Sequence, residues 1–188
     1  MENPSYSDKW IVDKVLSGNT QAFATIVRNT ERLVIQIIRK MSPTEDEQKD
    51  LVQDVYLKAF QSLNTFKYQS KLSTWIGTIA YNTCLNHLQK KRIPISDGLE
   101  DQVQVSSESL ENTLLNQEAH VILNQFIDQL PPLYRTLISL YHIEELSLKE
   151  ISQITHLPEG TIKNYLFRAR KILKEQLEKY YKVNRHVQ

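Results

Sequence analysis

Residues 147–177 constrain the fold more than any other part of the sequence. Ser147 and Glu150 have the spacing of a capping box, in which each side chain satisfies a free backbone N–H at a helix start. The apolar residues that follow keep helical spacing, at Leu148, Ile151 and Ile154. Pro158 and Gly160 then end the pattern. The sequence therefore predicts a short capped helix followed by a tight turn.

A second helix is predicted to begin at Thr161, because threonine is a favourable N-cap residue. Its apolar positions also keep helical spacing, at Ile162, Leu166, Ala169, Ile172 and Leu173. Two short amphipathic helices joined by a tight turn form a helix-turn-helix, a motif whose second helix enters the major groove of DNA.

The charge of this second helix favours DNA as its partner. Residues 161–182 hold seven basic residues against only Glu175 and Glu178, and basic residues along one helix attract phosphate. The side chains placed to reach base edges are those of the first turns, Lys163, Asn164, Tyr165 and Phe167. For a charge run alone, a solvated surface helix is the better interpretation. The capped helix and turn that precede this run favour DNA binding instead.

Composition excludes several other classes of protein. The chain has 188 residues and a formal net charge of +1, so bulk charge does not drive it onto nucleic acid. One cysteine, Cys84, excludes an internal disulfide and any multi-cysteine zinc site. No apolar run reaches the length of a membrane span and the first residues do not resemble a signal peptide, so we expect a cytoplasmic location without membrane insertion. Repeated helical spacing without period-two alternation predicts an all-α fold.

The N-terminal part is predicted to form a helix bundle. Residues 7–41 are predicted to form two helices, interrupted at Gly18 and Asn19, and a third is predicted from an N-cap at Ser42 with Pro43 as its first residue. The predicted buried side of this third helix is Leu51, Val52, Val55, Ala59 and Phe60, and its outer side is Asp46, Glu47, Asp50, Gln53 and Asp54. From composition alone, that acidic side is either simply solvated or a docking surface for a basic partner.

A polar loop, residues 64–73, then mixes aromatic and basic residues. Ser73 is predicted to cap the next helix, residues 74–92. Aromatic rings beside cations suit single-stranded nucleic acid, because bases stack on rings while cations follow the backbone. Phe66, Tyr68 and Trp75 are equally suited to a core, and core is the favoured interpretation for an isolated aromatic residue.

The chain divides into two small domains. Residues 93–112 contain five acidic residues and no basic one, which is typical of a flexible linker. A second helical set begins at Leu114, and Pro131 with Pro132 starts its next helix. The predicted boundaries are a first domain at 1–92, the linker at 93–112, a second domain at 113–182 and a tail at 183–188.

These segments together resemble the bacterial RNA polymerase sigma factors of the extracytoplasmic-function (ECF) type. The resemblance runs from about Ala22 to Leu177. The run from Asp50 to Phe60 is similar to region 2.2 of the family, and the residues from Phe66 through Asn82 to Arg92 are similar to regions 2.3 and 2.4. Leu130, Pro131, Tyr134 and Arg135 resemble the opening of region 4, and the helix-turn-helix resembles region 4.2. Each of these short sequence strings alone is weak evidence for the family, whereas their order and spacing together make a specific match.

The resemblance implies a promoter-specificity subunit that melts DNA and initiates transcription of a stress or envelope regulon, with three sets of site residues. Those expected to dock the clamp helices of the polymerase β′ subunit are Asp50, Gln53 and Asp54. Those expected to recognise and melt the −10 element are Phe66, Lys71, Ser73, Thr74, Trp75, Asn82, Lys90, Lys91 and Arg92. Those expected to read the −35 element are Lys149, Thr161, Lys163, Asn164, Tyr165, Phe167, Arg168 and Lys171.

The implied partners are core RNA polymerase through its β and β′ subunits, promoter DNA, and an anti-sigma factor that is often membrane-anchored. No cofactor is implied, and phosphodiester synthesis would belong to the polymerase. The chain departs from common family patterns at His156, where a glycine is frequent, and at Ser152, Tyr165 and Phe167. The promoter sequence therefore cannot be transferred from a relative.

Two other classes of function compete with this interpretation. A stand-alone regulator that binds duplex DNA as a dimer would use the helix-turn-helix, but it leaves the 64–73 loop and the acidic side at 50–54 unexplained. An enzyme is disfavoured, because the five histidines are dispersed without metal-ligand spacing and the sequence has no glycine-rich phosphate loop or nucleophile motif.

Overall fold

The computed structural model describes residues 8–42, 44–90 and 115–184. Within these ranges the chain is all-α, as predicted, with eight α-helices and no strand. The N-terminal half contains α1 (Asp8–Leu16), α2 (Phe23–Met41), α3 (Glu45–Ser62) and α4 (Leu72–Lys90). The C-terminal half contains α5 (Leu115–Gln129), α6 (Pro132–His142), α7 (Leu148–Thr155) and α8 (Glu159–Asn184). The predicted linker, residues 93–112, lies outside the described residues, as do Lys91 and Arg92.

The break between α1 and α2 lies where the sequence predicts it. Gly18 has a φ of 99°, a left-handed conformation that glycine adopts without strain. The side chain of Asn19 then accepts a hydrogen bond from the backbone N–H of Ala22 at 3.2 Å, which caps a short 3₁₀ turn leading into α2. Helix α2 buries one apolar face, formed by Ile26, Leu33, Val34, Ile37 and Ile38.

The start of α3 differs from the prediction. Ser42 is not its N-cap, because the backbone of Ser42 already forms the C-cap of α2. Thr44 occupies the N-cap position without a side-chain hydrogen bond, and Pro43 lies outside the described residues. Three acidic residues in the first turn, Glu45, Asp46 and Glu47, complement the positive end of the helix dipole instead.

The start of α4 also differs from the prediction. The helix begins at Leu72, so Ser73 lies inside its first turn and does not cap it, and the described helix ends at Lys90. A residue distant in sequence satisfies the first turn, since Asp8 Oδ2 accepts a hydrogen bond from the Leu72 N–H at 2.7 Å. A carboxylate at a helix N-terminus also interacts favourably with the helix dipole. The first helix of the chain therefore fixes where the loop before α4 ends.

The helix-turn-helix is present, and its capping box is confirmed. The Ser147 hydroxyl accepts from the Glu150 N–H at 3.2 Å, and Glu150 Oε2 accepts from the Ser147 N–H at 2.9 Å. Helix α7 ends at Thr155, and its C-cap residue His156 has a φ of 59° in the left-handed region. The position commonly given to glycine thus keeps the backbone conformation that glycine favours.

The start of α8 is earlier than predicted. The helix begins at Glu159, so Thr161 lies in its first turn and is not the N-cap. The Pro158 carbonyl accepts a hydrogen bond from the Ile162 N–H at 3.0 Å, so helical hydrogen bonding has begun before Thr161. Proline is tolerated at this position because the residue just before a helix donates no helical hydrogen bond.

The two halves share a continuous apolar core. Helix α4 packs against α7, and α2 packs against α6. The largest side chains that are fully buried in the C-terminal half are Leu137, Leu140, Ile151, Ile154 and Ile162. Each contributes about 1.5–3 kcal/mol through burial, and this burial sets the position of the short α7.

Among the described residues, no helix is both long and apolar enough to cross a membrane. The same part of the chain contains no group of three or more His, Cys, Asp or Glu side chains arranged to hold a metal ion.

Replacing His156 with glycine should stabilise the protein. The left-handed backbone at His156 is strained for any residue with a Cβ atom, at about 1–2 kcal/mol, and part of this gain is offset by the greater freedom of glycine in the unfolded chain. We expect His156→Gly to raise the free energy of unfolding by about 0.5–1 kcal/mol, measured by urea denaturation. His156→Ala is the matched control, because it keeps the Cβ atom. An equal gain in both variants would contradict the conformational explanation.

Candidate nucleic-acid interface

Helix α8 presents a polar and basic face to solvent. Its buried face is formed by Ile162, Leu166, Ala169 and Leu173. The predicted base-reading residues on the opposite face, Lys163, Asn164, Phe167 and Arg168, are all exposed, as is Lys171 one turn later. Phe167 is 66% exposed, which is unusual for a phenylalanine and suits apolar contact with a thymine methyl group. The face predicted for −35 recognition is therefore accessible.

Two other residues predicted for the −35 set are less accessible. Thr161 and Tyr165 are half-buried, and the Tyr165 ring packs against the Tyr134 ring with centroids 5.5 Å apart. Lys149 is exposed on α7. Tyr165 is therefore packed partly in the hydrophobic core, and the fully accessible members of the predicted −35 set on α8 are its exposed neighbours.

The loop before α4 is supported from inside by Phe66. This side chain is only 6% exposed and belongs to the core, so it does not offer a ring face to a base. Its centroid lies 4.8 Å from that of Tyr68 and 5.4 Å from that of Trp75. Thr74 is also buried. The core interpretation left open for Phe66 is the one the structure supports, and Phe66 and Thr74 lie beneath the surface predicted for −10 recognition.

The remaining described residues of the predicted −10 set lie at or near the surface. Trp75, Ser73 and Asn82 are half-buried, and Lys71 and Lys90 are exposed. Lys71 Nζ forms an ion pair with Glu150 Oε1 of α7 at 2.8 Å. The described members of the set therefore come from the loop and from the first turn, the middle and the last turn of α4.

Tyr68 is an additional candidate that the predicted −10 set omits. It is 44% exposed and adopts a φ of 58°, while its hydroxyl donates to Asp13 Oδ1 at 3.4 Å. Packing on Phe66 holds one part of the ring and leaves the rest in solvent, as stacking on a base would require. An aromatic residue inside a polar, basic loop was the sequence signal for this role.

The acidic side of α3 continues into an exposed apolar residue. Asp50, Gln53 and Asp54 are all exposed, and their spacing places them on one face of the helix. Leu57 continues the same face and is 56% exposed. Sequence reasoning missed Leu57, although its i+3 spacing from Asp54 is sufficient to find it.

Phe60 was predicted on the buried side of α3, and this was wrong. It is exposed to solvent, with its ring packed edge-to-face against Phe23 at 5.1 Å. The buried side of α3 is formed by Leu51, Val55 and Ala59. Phe60 lies about a quarter turn or more away from these residues, so helical spacing places it nearer to Leu57.

A groove of about 650 Å³ lies beside α8, between that helix, α5 and the end of α6. Apolar side chains line it, including Leu123, Leu173 and Leu177, and Arg170 and Lys174 are among its basic residues. Partial burial and the nearby Arg170 guanidinium lower the pKa of His142 at one end. The groove is on the C-terminal half and is separate from the exposed face of α8 formed by Lys163, Asn164 and Phe167.

The single cysteine is not placed for nucleophilic chemistry. Cys84 is buried in α4, and this burial raises the pKa of its thiol to about 12. The thiolate is the reactive form of cysteine, and at neutral pH almost none is present here.

Comparison with known proteins identifies both halves. The pattern of the family "Sigma-70 region 2" matches residues 26–93, and that of "Sigma-70, region 4" matches residues 120–173. These two ranges contain α4 and the helix-turn-helix, respectively. They are also the two parts that carry the predicted −10 and −35 residues.

Whole-chain relatives agree with these matches. The chain is 31% identical to the "ECF RNA polymerase sigma factor SigW" of Bacillus subtilis, over 88% of this chain and 94% of that protein. It is 31% identical to the "ECF RNA polymerase sigma-E factor" of Escherichia coli K12, over 92% of this chain and 95% of that protein. It is 30% identical to the "RNA polymerase sigma-H factor" of Pseudomonas aeruginosa, over 91% of this chain and 94% of that protein.

Solved structures show the same architecture. The sigma factor RpoE of Bartonella quintana, solved with the anti-sigma factor NepR, superposes with a TM-score of 0.62 at 25% identity. The alignment covers 83% of this chain and 96% of that one. CnrH, solved with the cytosolic domain of CnrY, gives a TM-score of 0.64 at 20% identity, over 91% of this chain and 97% of that one, and supports the fold alone.

The sequence order of the two matched regions, the full-length relatives and the helix-turn-helix with its exposed basic face agree with one another. The chain belongs to the ECF-type sigma-70 family of RNA polymerase sigma factors.

Proposed function

We propose that this sigma factor gives bacterial core RNA polymerase its promoter specificity by using the two halves of the chain on two different DNA elements. The observation that carries this proposal is the exposed basic face of α8, formed by Lys163, Asn164, Phe167, Arg168 and Lys171. A capped α7 and a tight turn position that face, as a reading helix requires. The C-terminal half thus reads duplex DNA at the −35 element.

The N-terminal half opens and holds the −10 element. Lys71 and Lys90 supply positive charge for the backbone of a single strand, and the partly exposed rings of Tyr68 and Trp75 supply stacking surfaces. Asn82 is placed for a polar contact from the middle of α4. Removing one base from the stack costs a few kcal/mol, which stacking and a shaped surface offset.

The acidic side of α3 docks on the polymerase. Asp50, Gln53 and Asp54 offer carboxylates and an amide to the β′ clamp helices, and Leu57 adds an apolar contact at the C-terminal end of the same face. Protein interfaces combine apolar contacts with polar and charged groups, as this face of α3 does. Association with polymerase then brings both DNA-binding surfaces to the promoter.

An anti-sigma factor is the proposed regulatory partner. The similar RpoE of Bartonella quintana was solved in complex with the anti-sigma factor NepR, and we extend that type of partner, membrane-anchored or free, to this chain. The proposed location is the cytoplasm, where the polymerase acts. The sigma factor recognises DNA, and the polymerase catalyses phosphodiester synthesis.

Run-off transcription tests the proposal directly. Genomic fragments transcribed by bacterial core polymerase should yield new discrete transcripts only when this chain is added. Footprinting should show promoter protection that depends on core polymerase, since the net charge of +1 gives the free chain little attraction to duplex DNA. Equal footprints with and without polymerase would support a stand-alone dimeric regulator instead.

Substitutions on α8 should weaken upstream recognition. If Lys163 contacts a base edge, Lys163→Ala should cost about 1–3 kcal/mol and relax the −35 sequence preference. Arg168→Ala should weaken binding to all sequences alike and lower the dependence of binding on salt, as loss of a phosphate contact does. Lys179→Ala removes the same charge farther along the helix and serves as the control. Unchanged transcription from a −35-dependent promoter by a Lys163→Ala, Arg168→Ala double variant would exclude α8 as the reading helix.

Replacing Trp75 with alanine should impair strand opening more than polymerase binding. Polymerase affinity can be measured by fluorescence anisotropy, and strand opening by permanganate reactivity of thymines in the −10 element. Phe66→Leu is the control for lost packing, because Phe66 supports the loop from the core. Parallel losses of affinity and opening in the Trp75 variant would assign Trp75 to the core.

A further inference from the structure

Helix α1 is attached to the loop before α4 at two points. Asp8 Oδ2 accepts a hydrogen bond from the Leu72 N–H at 2.7 Å, where the loop ends. Asp13 Oδ1 accepts a second one from the Tyr68 hydroxyl at 3.4 Å, near the middle of the loop. The inner side of α1 is buried in the apolar core. Helix α1 therefore lies directly beside the surface that the N-terminal half is proposed to offer to single-stranded DNA.

The outer side of α1 carries an aromatic ring beside a cation. The ammonium of Lys14 lies 4.2 Å from the centroid of the Trp10 ring, close enough for a cation–π interaction. Trp10 is 40% exposed with Lys14 in this position, and Lys14 is exposed as well. One turn of helix thus presents the two groups that bind single-stranded nucleic acid, a ring on which a base can stack and a positive charge for the phosphate beside it.

Trp10 is close enough to Tyr68 for both rings to contact one strand. Asp13, which accepts the hydrogen bond from Tyr68, follows Trp10 by three residues. Side chains at this spacing are neighbours on a helix, with Cβ atoms about 5–6 Å apart. Successive nucleotides of a stacked strand rise about 3.4 Å. A strand that stacks on the Tyr68 ring therefore reaches Trp10 within about two to four nucleotides.

The charges of this region favour a contact that depends mainly on stacking. The two lysines of α1, Lys9 and Lys14, are offset by Asp8 and Asp13, although both aspartates accept hydrogen bonds from the loop. Lys67, exposed in the adjoining loop, adds positive charge. A lysine beside the exposed ring suits a polyanion better than it suits an apolar protein surface. Among the possible partners, single-stranded DNA therefore fits this side of α1 best.

We propose that Trp10 and Lys14 form a further stacking site for the opened strand, beside the one at Tyr68 and Trp75. The proposal rests on the proposed promoter function and adds to it a contact from α1. An unpaired base next to those held by the loop before α4 stacks on Trp10, and Lys14 contacts the neighbouring phosphate. Because every base has a face that can stack, this site stabilises the opened strand without a strong sequence preference.

The first test locates the contact in the wild-type protein. Open complexes of this chain with core polymerase are formed on a promoter identified by run-off transcription, with 5-bromodeoxyuridine placed at single positions along each opened strand. After irradiation, trypsin digestion and mass spectrometry identify the cross-linked peptide. Trypsin cuts after each lysine that flanks these segments, so Trp10 and Tyr68 fall on separate peptides, 10–14 and 68–71. We expect a cross-link to peptide 10–14 within about four positions of a base that marks peptide 68–71.

The outcomes of this test separate the two proposals. Absence of peptide 10–14 from the cross-linked products at every scanned position would overturn the Trp10 site and leave the promoter function standing. Failure of the wild-type chain to direct any transcription would instead refute the proposed function. The cross-linking uses the unaltered chain, so the result does not depend on the folding of a variant.

The second test measures what the contact contributes to opening. Trp10→Ala should lower promoter opening on the order of tenfold, as expected for one lost base–aromatic contact, measured by permanganate reactivity. Trp10→Phe keeps a ring and should recover most of this loss. Lys14→Ala should reduce opening less and weaken its dependence on salt. Leu16→Ala, a change at an exposed residue of the same helix, is the control and should behave as wild type. Wild-type opening by Trp10→Ala, or a fall in polymerase affinity that accounts for its whole defect, would overturn the proposal.

Discussion

The burial of the inner faces of α7 and α8 is the interaction on which the reading surface depends. Helix α7 has only two turns, and an isolated helix of that length is not stable in water. Ile151, Ile154 and Ile162 are completely buried, and they give α7 a fixed position that its own hydrogen bonds do not provide. The angle at which α8 presents Lys163 and Phe167 follows from this packing. The orientation of the DNA-reading face therefore depends on buried apolar residues that do not themselves contact DNA.

Glu150 shows how a single side chain links several levels of this structure. It completes the capping box with Ser147, in which the backbone N–H groups of both residues are hydrogen-bonded at the start of α7. The same carboxylate holds Lys71 of the opposite half. In the sequence, Glu150 is recognisable only as a helix-capping residue, but in the structure it also joins the two halves of the chain. Its ionisation at neutral pH serves both roles at the same time.

Much of the fold could be predicted because its signals are local. The capping box at Ser147, the break at Gly18 and the period of the apolar residues depend only on neighbours within a few positions. The misplaced helix starts have one common cause, since a polar residue near a helix start resembles a cap whether or not it is needed. Leu72 is capped by Asp8 from another helix, and Ser42 already ends α2. Contacts at long sequence separation, such as Gly77 with Ile154, leave no mark in a single sequence. The candidate site also combines local and long-range features. The exposed face of α8 was predictable from the spacing of its residues, whereas the burial of Phe66 depends on tertiary packing.

The hydrogen bond from Leu72 to Asp8 makes the first helix of the chain a structural support of the loop proposed to open DNA. The C-terminal end of the loop, at Leu72, is held by the Asp8 carboxylate, which lies 64 positions earlier in the sequence. If this loop opens DNA as proposed, substitutions in α1 that change the Asp8 contact would change how readily a promoter opens, while every base-contacting residue stays the same. Two sigma factors with identical reading residues could in this way acquire different basal activities, and selection on the strength of a regulon would have a target that does not itself contact DNA.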